Sequence, residues 1–388
     1  MSAGSRAEEH GPAGTLPAGA AAVVFVRSRL WIAGWWAAGR AVVFGAVLAV
    51  HAAHGPTGFL SHEVHGHPLA ILGGWDGRWY RMVAESGYLL VPGRQSDPAF
   101  FPLYPVLLRA VHGLGIGYTT AGPLLSTGAL LGALVAFHAL SRDLFGETFA
   151  RRAAVYAAIF PLGTVFSMTY PESLVLAALA LAGLAALRER WWLAGACAAA
   201  AALARPEGVF VALPIAAAAW QARGRLSPSA RGGAFGAALA PAAALASFPL
   251  YLATVLHDPL AWTRAERAWG RHFSPIGFVA ALRGLPAELA RNPWLVRDVV
   301  ALAVYLVLLV AARRAGTPLP WLLAGLAVVV LPIFSGSFES IGRFGLLVPP
   351  LFWGLARLTR GRRADTVLRI ASLALLAAAT VATPYVFP

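Results

Sequence analysis

Long apolar runs separated by short gaps that contain arginine are the feature that most constrains this sequence. A run of about 17 to 25 apolar residues is long enough to cross a bilayer as a helix. In chain order the candidate spans are 31–52, 119–140, 153–170, 172–187, 234–256, 296–312, 318–334, 343–357 and 368–386. Charged residues make up only 12% of the 388 residues, about half the share in a soluble domain. We therefore expect an all-α integral membrane protein.

The stretch from Trp191 to Trp220 is too long for one span and is interrupted by the polar insert Arg205-Pro206-Glu207-Gly208. This pattern predicts two shorter helices in a hairpin with the insert at its tip. The total is then about eleven transmembrane helices, joined by external re-entrant and amphipathic helices. We predict one polytopic membrane domain over 27–388, preceded by a disordered cytoplasmic tail over 1–26 that is rich in Ala, Gly and polar residues.

Arginine placement predicts the orientation. The chain has no lysine, so its 31 basic residues are all arginine, and 18 of them fall on the face that holds the N-terminus. By the positive-inside rule this face is cytoplasmic, and the long loops 53–118 and 257–295 are external. Of the 17 acidic residues, 11 lie on the external face. The net charge of +14 is then a topological signal and not a nucleic-acid site, and we expect a multi-pass protein of the plasma membrane.

The first external loop contains an aspartate, Asp76, in the sequence Gly74-Trp75-Asp76-Gly77-Arg78. Apolar and aromatic side chains then recur at helical spacing, at Trp79, Tyr80, Val83 and Ala84. This spacing predicts an amphipathic helix in the membrane interface with Asp76 at its N-terminal end. Asp76 could simply cap the helix while the tryptophans anchor it. Alternatively it is a functional carboxylate, since it follows Trp75 and is the first of several motifs on this face.

A segment with three prolines follows, from Asp97 to Pro105. Proline prevents a regular helix here, so we expect the chain to re-enter the interface and then form a short helix. Asp97 and Tyr104 could serve either packing or a site.

Three charged inserts interrupt the later apolar runs on the external side, at Tyr170–Ser173, Arg205–Gly208 and Ser335–Phe344. Ionisable groups at membrane depth are costly and usually line a cavity or pair with one another. Structural pairs between Arg and Glu side chains are one interpretation, and substrate contacts are the other. Arg343 follows a Gly-Ser turn at a predicted helix start, which suits binding of a phosphate.

The second external loop predicts a cationic, aromatic interfacial helix. Three side chains share one helical face, Trp262, Glu266 and Trp269, and three arginines lie beside them, Arg264, Arg267 and Arg271. Such a helix is either a headgroup anchor or a platform for a sugar or a lipid phosphate.

Motifs of soluble enzymes are absent: there is no phosphate-binding Gly-Lys-Ser/Thr loop, Gly-x-Ser-x-Gly elbow or His-Glu-x-x-His sequence. His62, His65 and His67 could bind a metal, but no carboxylate set accompanies them, and no Asp-x-Asp pair occurs. No cofactor is therefore certain, and a divalent metal is possible without support from a local motif. The single cysteine, Cys197, excludes an intrachain disulfide.

Five motifs occur in a fixed order along the chain. They are Trp-Asp-Gly-Arg-Trp-Tyr with Gly87-Tyr88, Phe-Phe-Pro-Leu-Tyr-Pro, Ala-Arg-Pro-Glu-Gly, His-Asp-Pro-Leu-Ala-Trp ending in Trp-Gly-Arg, and Ser-x-x-Ser-Ile-Gly-Arg-Phe. In this order the sequence resembles the PIG-V family of mannosyltransferases, in its bacterial branch. The likeness runs from Trp75 to Phe344. It departs from the eukaryotic relatives at Arg205–Gly208 and at Phe344, which leaves the acceptor open.

The resemblance implies a GT-C type membrane glycosyltransferase. Such an enzyme takes mannose from a polyprenyl-phosphate carrier on the non-cytoplasmic side, with inversion, and passes it to a lipid-linked or glycan acceptor. Asp76 matches the catalytic carboxylate of the first external loop, the base that takes the acceptor proton. The substrate-binding candidates are Trp75, Arg78, Trp79, Tyr80, Tyr104, Glu172, Arg205, Glu207, Trp262, Arg271, Glu339 and Arg343. The expected partners are this donor, the acceptor and the bilayer.

Two alternatives remain. A transporter or flippase of a lipid-linked sugar would also place charges between broken helices, although it would need a path to the cytoplasm. A non-catalytic subunit of a glycosylation complex would keep the fold and tolerate loss of Asp76.

Overall fold

The computed structural model describes residues 30–54 and 67–387, and within these ranges the chain forms helices, 3-10 turns and loops without a strand. The α-helices are α1 (Leu30–His54), α2 (Asp76–Ser86), α3 (Leu103–His112), α4 (Tyr118–Phe145), α5 (Glu147–Ala158), α6 (Glu172–Leu187), α7 (Trp191–Ala204), α8 (Ala212–Ala222), α9 (Pro228–Leu256), α10 (Ala261–Ala268), α11 (Gly277–Arg291), α12 (Val296–Arg314), α13 (Leu319–Val330), α14 (Ile341–Phe344), α15 (Pro349–Leu358) and α16 (Arg362–Ala382). The predicted tail over 1–26, His62 and His65 lie outside the described residues.

The helices confirm an all-α membrane fold. Five are long and apolar enough to cross a bilayer: α1, α4, α9, α12 with the turn before it, and α16. Three shorter apolar helices, α6, α7 and α13 with the turn after it, accompany them. Helices α6, α7 and α9 pack side by side, and α4 packs along α6. Eight of the about eleven predicted spans thus correspond to apolar helices in the described residues, five of full length and three shorter.

The stretch from Trp191 to Trp220 forms two helices, as predicted. α7 ends at Ala204, a 3-10 turn covers Pro206–Val211, and α8 follows directly. The turn packs on the end of α7 so closely that a Cβ atom on Gly208 would lie 2.3 Å from the backbone carbon of Ala201. Glycine is therefore required sterically at this position. The close packing of the turn on the end of α7 fixes where the polar insert Arg205–Gly208 lies along the bundle.

Two of the predicted spans, 153–170 and 343–357, are interrupted. α5 ends at Ala158, because Pro161 disfavours continuation of the helix, and a 3-10 turn over Gly163–Ser167 follows. The side chain of Arg40, from the middle of α1, donates to the carbonyl oxygen of Gly163 at 3.0 Å. In the second case Pro349 forces Val348 into an extended conformation, which separates α14 from α15. Both breaks place polar backbone inside the bundle, next to the charged inserts.

The two predicted external loops pack against each other. The predicted amphipathic helices exist as α2 and α10, and the three-proline segment leads into the short helix α3. Trp79 of α2 stacks on Phe100 with ring centroids 5.9 Å apart, and Trp269 meets both rings edge-on. The indole N–H of Trp269 also donates to the carbonyl oxygen of Ser96. An aromatic cluster thus holds the segments of both loops at one end of the bundle.

Candidate functional site

A cavity of about 1060 Å³ lies between the two loops and the ends of the broken helices. Eleven of the thirteen site residues predicted from the sequence line it: Trp75, Asp76, Arg78, Trp79, Tyr80, Arg205, Glu207, Trp262, Arg271, Glu339 and Arg343. Ligand sites usually measure about 300 to 1,000 Å³ and combine aromatic walls with a few charged groups. The cavity is therefore large enough for a bulky or a two-part ligand.

Asp76 and Arg343 form a buried ion pair in the wall of this cavity. Nη1 of Arg343 lies 2.5 Å from Oδ2 of Asp76, and only 5% of the Arg343 side chain and 11% of the Asp76 side chain are exposed. The Arg343 guanidinium is also held between the rings of Tyr170 and Phe387, at 5.2 and 5.1 Å. The pair orients one carboxylate towards a cavity with aromatic walls.

The ion pair belongs to a longer chain of alternating charges. Nε of Arg343 lies 3.5 Å from Oε1 of Glu172, and the same oxygen accepts a hydrogen bond of 2.6 Å from Nη1 of Arg205. Arg205 then donates from Nε to Glu207 at 3.0 Å. The sequence suggested a structural pair within Arg205–Gly208, and that pair is present. Buried charges of one sign each face a partner of the other sign, which offsets their desolvation.

Asp76 does not cap its helix with its side chain. It is the first residue of α2, the N-cap position belongs to Trp75, and no side-chain capping bond forms. Instead the backbone N–H of Asp76 donates to the Tyr170 hydroxyl oxygen at 3.0 Å, and the carboxylate turns to Arg343. The capping interpretation of Asp76 is therefore wrong. Trp75 has a φ of 55°, a value that is uncommon outside glycine and is found at functional sites.

Two of the predicted site residues, Tyr104 and Glu172, lie behind the cavity wall and not in it. Tyr104 is fully buried against Tyr80, and its hydroxyl lies 2.7 Å from the Ser126 hydroxyl, which donates to the carbonyl oxygen of Tyr170. Both side chains are too deep for direct contact with a ligand in the cavity. Tyr104 supports Tyr170, and Glu172 joins the two arginines of the charge chain.

Glu339 and Arg343 differ in their surroundings although they are neighbours in sequence. Glu339 is exposed at the cavity rim, and Arg343 makes its ion pairs with Asp76 and Glu172 instead. The structural pair that this insert could have formed, between Arg343 and Glu339, is not present among the described residues. The predicted helix start is α14, a helix of four residues in which Arg343 is the third.

Backbone contacts at Gly342 fix the position of Arg343. The N–H of Gly342 donates to Asp298 at 2.8 Å, and its carbonyl oxygen accepts from the Tyr305 hydroxyl at 2.6 Å. A Cβ atom on Gly342 would lie 2.8 Å from the Leu162 side chain and 3.2 Å from Oδ1 of Asp298, so this segment packs closely on its neighbours. Asp298 and Tyr305, both on α12, were not singled out in the sequence, where they lie within a regular apolar span.

Arg271 is a more accessible cation than Arg205 or Arg343. It is half-buried, its Nη2 donates to the Ser340 hydroxyl at 3.2 Å, and its guanidinium lies 5.9 Å from the Phe344 ring. No carboxylate of the described residues lies within ion-pair distance of Arg271, unlike Arg205 and Arg343. Arg264 points away from the cavity and pairs with Asp258.

The segment after α16 completes the cavity and was missed by the sequence analysis. The Trp75 indole N–H donates to the carbonyl oxygen of Thr383 at 2.8 Å, and the Trp75 ring meets the Phe387 ring edge-on. Tyr385 and Phe387 line the cavity. Neither a charge nor a motif distinguishes this segment, so the only available signal was its aromatic content after an apolar run.

Glu266 and Asp97 are two of the carboxyl groups outside the spans that have raised pKa values. Burial raises the pKa of Glu266 on α10, and the nearby Arg271 opposes this only in part. Burial likewise raises the pKa of Asp97 to about 6, against the hydrogen bond from the Leu89 N–H. Of these two carboxyl groups, Glu266 lines the cavity and Asp97 does not.

The described residues contain no group of three or more His, Cys, Asp or Glu side chains that could hold a metal ion. Two acidic groups of the cavity, Asp76 and Glu207, are paired with Arg343 and Arg205. Guanidinium groups therefore contribute positive charge at this site.

Fold and site together define a polytopic helical membrane protein with a buried chain of charges beside an aromatic cavity. No protein-family model and no curated protein sequence matches the chain. Among solved structures it is similar to the oligosaccharyltransferase of Archaeoglobus fulgidus in complex with zinc and sulfate, at 14% identity and a TM-score of 0.41 over 88% of this chain and 53% of that one. A second similar structure is the archaeal oligosaccharyltransferase AglB of Archaeoglobus fulgidus in complex with an inhibitory peptide and a dolichol-phosphate. The identity is 15% and the TM-score 0.41, over 92% of this chain and 55% of that one. The chain spans about half the length of these structures.

Proposed function

We propose that this protein is a membrane glycosyltransferase that transfers mannose from a polyprenyl-phosphate carrier to a hydroxyl group of a lipid-linked or glycan acceptor. The observation that carries the proposal is the buried Asp76–Arg343 pair in the wall of an aromatic cavity at one end of the bundle. A transferase needs a carboxylate fixed beside a sugar site, and aromatic side chains suit the apolar faces of sugars.

In the proposed reaction the acceptor oxygen attacks the anomeric carbon and displaces the carrier phosphate with inversion. Asp76 accepts the proton of the attacking hydroxyl as the new bond forms. The electron pair of the broken carbon–oxygen bond leaves with the phosphate. Because that phosphate is already a good leaving group, it needs a nearby positive charge more than a proton.

Arg271 is our candidate for the phosphate contact, and Arg343 is better suited to positioning Asp76. The Arg343 guanidinium is committed to Asp76 and Glu172 and is almost completely buried. Arg271 is half-buried beside Ser340 and has both a free guanidinium edge and a neighbouring hydroxyl. The sequence alone favoured Arg343 for the phosphate, so this assignment changes on the basis of the contacts.

The remaining wall residues would bind the sugar and the carrier. Trp75, Trp79 and Tyr80 are aromatic lining residues close in sequence to Asp76, and Trp262 on α10 also lines the cavity. We place the cavity on the non-cytoplasmic side of the plasma membrane, as the arginine distribution predicts. The carrier lipid would then enter from the outer leaflet.

The proposal is tested with purified protein, polyprenyl-phosphate mannose and a panel of acceptor lipids, with polyprenyl-phosphate glucose as the comparison donor. We expect mannose transfer by the unchanged protein. Arg271→Gln should lower kcat/KM for the donor by about 10- to 100-fold, the effect of losing one charged hydrogen bond of about 1.5 to 3 kcal/mol. Arg264→Gln is the matched control, because Arg264 lies on the same segment and outside the cavity.

Two results would count against the proposal. No transfer from either carrier to any acceptor would remove the transferase function. Equal activity of Arg271→Gln and Arg264→Gln would keep the function and remove Arg271 from the phosphate site.

A further inference from the structure

A second cavity, of about 480 Å³, lies at the opposite end of the bundle from the first. α16 connects the two ends: Asp365 and Arg369 in its first two turns line the second cavity, and Thr383 just after its end contacts Trp75 at the first. A helix of 21 residues rises about 30 Å, which is the thickness of the hydrocarbon core. The second cavity is therefore at the level of the other membrane interface.

Arginines and tryptophans form the walls of the second cavity. The Arg151 guanidinium lies 5.2 Å from the Trp31 ring, and the Arg369 guanidinium lies 5.1 Å from the Trp35 ring. Arg152 is the third arginine in the wall. Cation–π contacts of this kind hold a guanidinium in place and leave its edge available for an acceptor.

Positive charge exceeds negative charge in this cavity. Arg151 pairs with Glu147 at 2.6 Å, and Arg369 pairs with Asp365 at 2.7 Å. Arg152 lies 3.9 Å from the same Asp365 and donates to the carbonyl oxygen of Ala356 at 3.5 Å. Asp365 also accepts a hydrogen bond from the Tyr156 hydroxyl. Three guanidinium groups thus share two carboxylates.

Two donors at the cavity are buried and have no hydrogen-bond partner among the described residues: Nε1 of Trp31 and Nε of Arg369. Buried donors are normally satisfied, because an unmade hydrogen bond costs about 1 to 3 kcal/mol. A ligand with several acceptor oxygens and no donors of its own would suit this combination of charge and unmet donors.

We propose that the second cavity binds the phosphodiester group of an anionic phospholipid. A phosphodiester carries acceptor oxygens that match arginine forks, and basic pockets between helices at the interface are suited to lipid headgroups. A lipid is favoured over a soluble phosphate because the length of α16 puts the cavity at interface level, and because it is lined by Trp31 and Trp35 at the start of α1, a residue type enriched at that level. The proposal is independent of the transferase function, since the two cavities share no lining residue.

The test measures lipid affinity by native mass spectrometry of the full chain in neutral detergent, with phosphatidylglycerol and phosphatidylcholine as probes. We expect phosphatidylglycerol to bind at least about 10-fold more tightly than phosphatidylcholine, and Arg152→Gln and Arg369→Gln to remove most of this preference. The matched control is Arg223→Gln. Arg223 also lies over a tryptophan, Trp220, at 3.7 Å, but outside this cavity.

Arg152→Lys provides a second test that keeps the charge and loses the fork, and it should bind phosphatidylglycerol more weakly than the unchanged protein. Equal binding of the two lipids would overturn the proposal, as would cavity variants that bind like Arg223→Gln. Glycerol 3-phosphate is added as a competitor in the same experiment. If it displaced the lipid at equal concentration, the ligand would be a soluble phosphate and the lipid assignment would be wrong.

Discussion

Asp76 and Arg343 are 267 positions apart in the sequence and share a hydrogen bond in the folded protein. The contact is made possible by Tyr170, which accepts from the Asp76 backbone and lies against the Arg343 guanidinium. Breaking one side of a buried pair typically costs about 3 to 5 kcal/mol, because a charge is left without a partner. After loss of Asp76, Arg343 would still have its ion-pair contact with Glu172, which limits the free-energy cost.

Phe387 should act as a positioning residue for this pair. Its ring lies 5.1 Å from the Arg343 guanidinium and edge-on to Trp75. Phe387→Ala removes a cation–π contact worth about 0.5 to 2 kcal/mol and should lower kcat by about 2- to 30-fold with little change in KM. Steady-state kinetics of mannose transfer would measure both parameters.

The conservative variant Phe387→Tyr should restore kcat, since it keeps the aromatic face. Tyr385→Ala is the control, because Tyr385 lines the same cavity and is largely exposed. A kcat for Phe387→Ala equal to that for Tyr385→Ala would contradict the positioning role.

At this residue scale the sequence identifies the charged groups but not their partners. Asp76, Arg205, Glu207 and Arg343 are conspicuous because charges are rare in an apolar chain. Their pairing depends on how distant helices meet, and no local pattern encodes that. Phe387 is inconspicuous for the opposite reason, since one more aromatic residue near an apolar run carries no signal.

At the scale of elements, the predictable parts are those with a strong local pattern. The five long helices follow from the length of their apolar runs, and α2 and α10 follow from helical spacing of aromatic residues. The breaks after Ala158 and at Val348 were not predicted, although a proline follows each one, because hydrophobicity remains high across them. In such a chain hydrophobicity predicts burial, and proline decides where a helix stops.

The turn between α7 and α8 gives a test at this scale. Gly208→Ala adds a methyl group 2.3 Å from the Ala201 backbone, so the turn must shift and carry Arg205 and Glu207 with it. Overpacking of this kind costs about 1 to 3 kcal/mol. We expect a lower apparent unfolding temperature in detergent together with reduced mannose transfer.

Gly128→Ala on α4 is the matched control, because a Cβ atom there would meet nothing within 4 Å. It should unfold at or above the temperature of the unchanged protein. If Gly208→Ala behaved in the same way, the close packing of the turn would not be a constraint on the site.

At the scale of the whole molecule, both long loops should lie on the non-cytoplasmic face. Single cysteines at the exposed positions Arg94 and Arg291, introduced with Cys197→Ala, should react in intact cells with a reagent that cannot cross the membrane. Arg225 lies just after α8, at the end away from the polar insert Arg205–Gly208. A cysteine in its place should react only after permeabilisation. Reaction of Arg225→Cys in intact cells, or protection of the other two, would reverse the predicted orientation.

At the scale of the whole molecule the proposed transferase function depends on one carboxylate, so Asp76→Asn tests that function most directly. Asparagine keeps the size of the side chain and can still accept from Arg343, but it cannot take a proton from an acceptor hydroxyl. Glu85→Gln is the control, because Glu85 lies on the same helix, pairs with Arg81 and does not line the cavity. Both variants should first elute as folded protein with similar apparent unfolding temperatures.

The decisive measurement is the turnover of mannose transfer by Asp76→Asn at saturating donor and acceptor. We predict a fall of about 10² to 10⁴, the usual contribution of a positioned acid–base group, with Glu85→Gln unchanged. A folded Asp76→Asn protein that transfers mannose at the rate of the unchanged protein would contradict the assignment of Asp76 as the base.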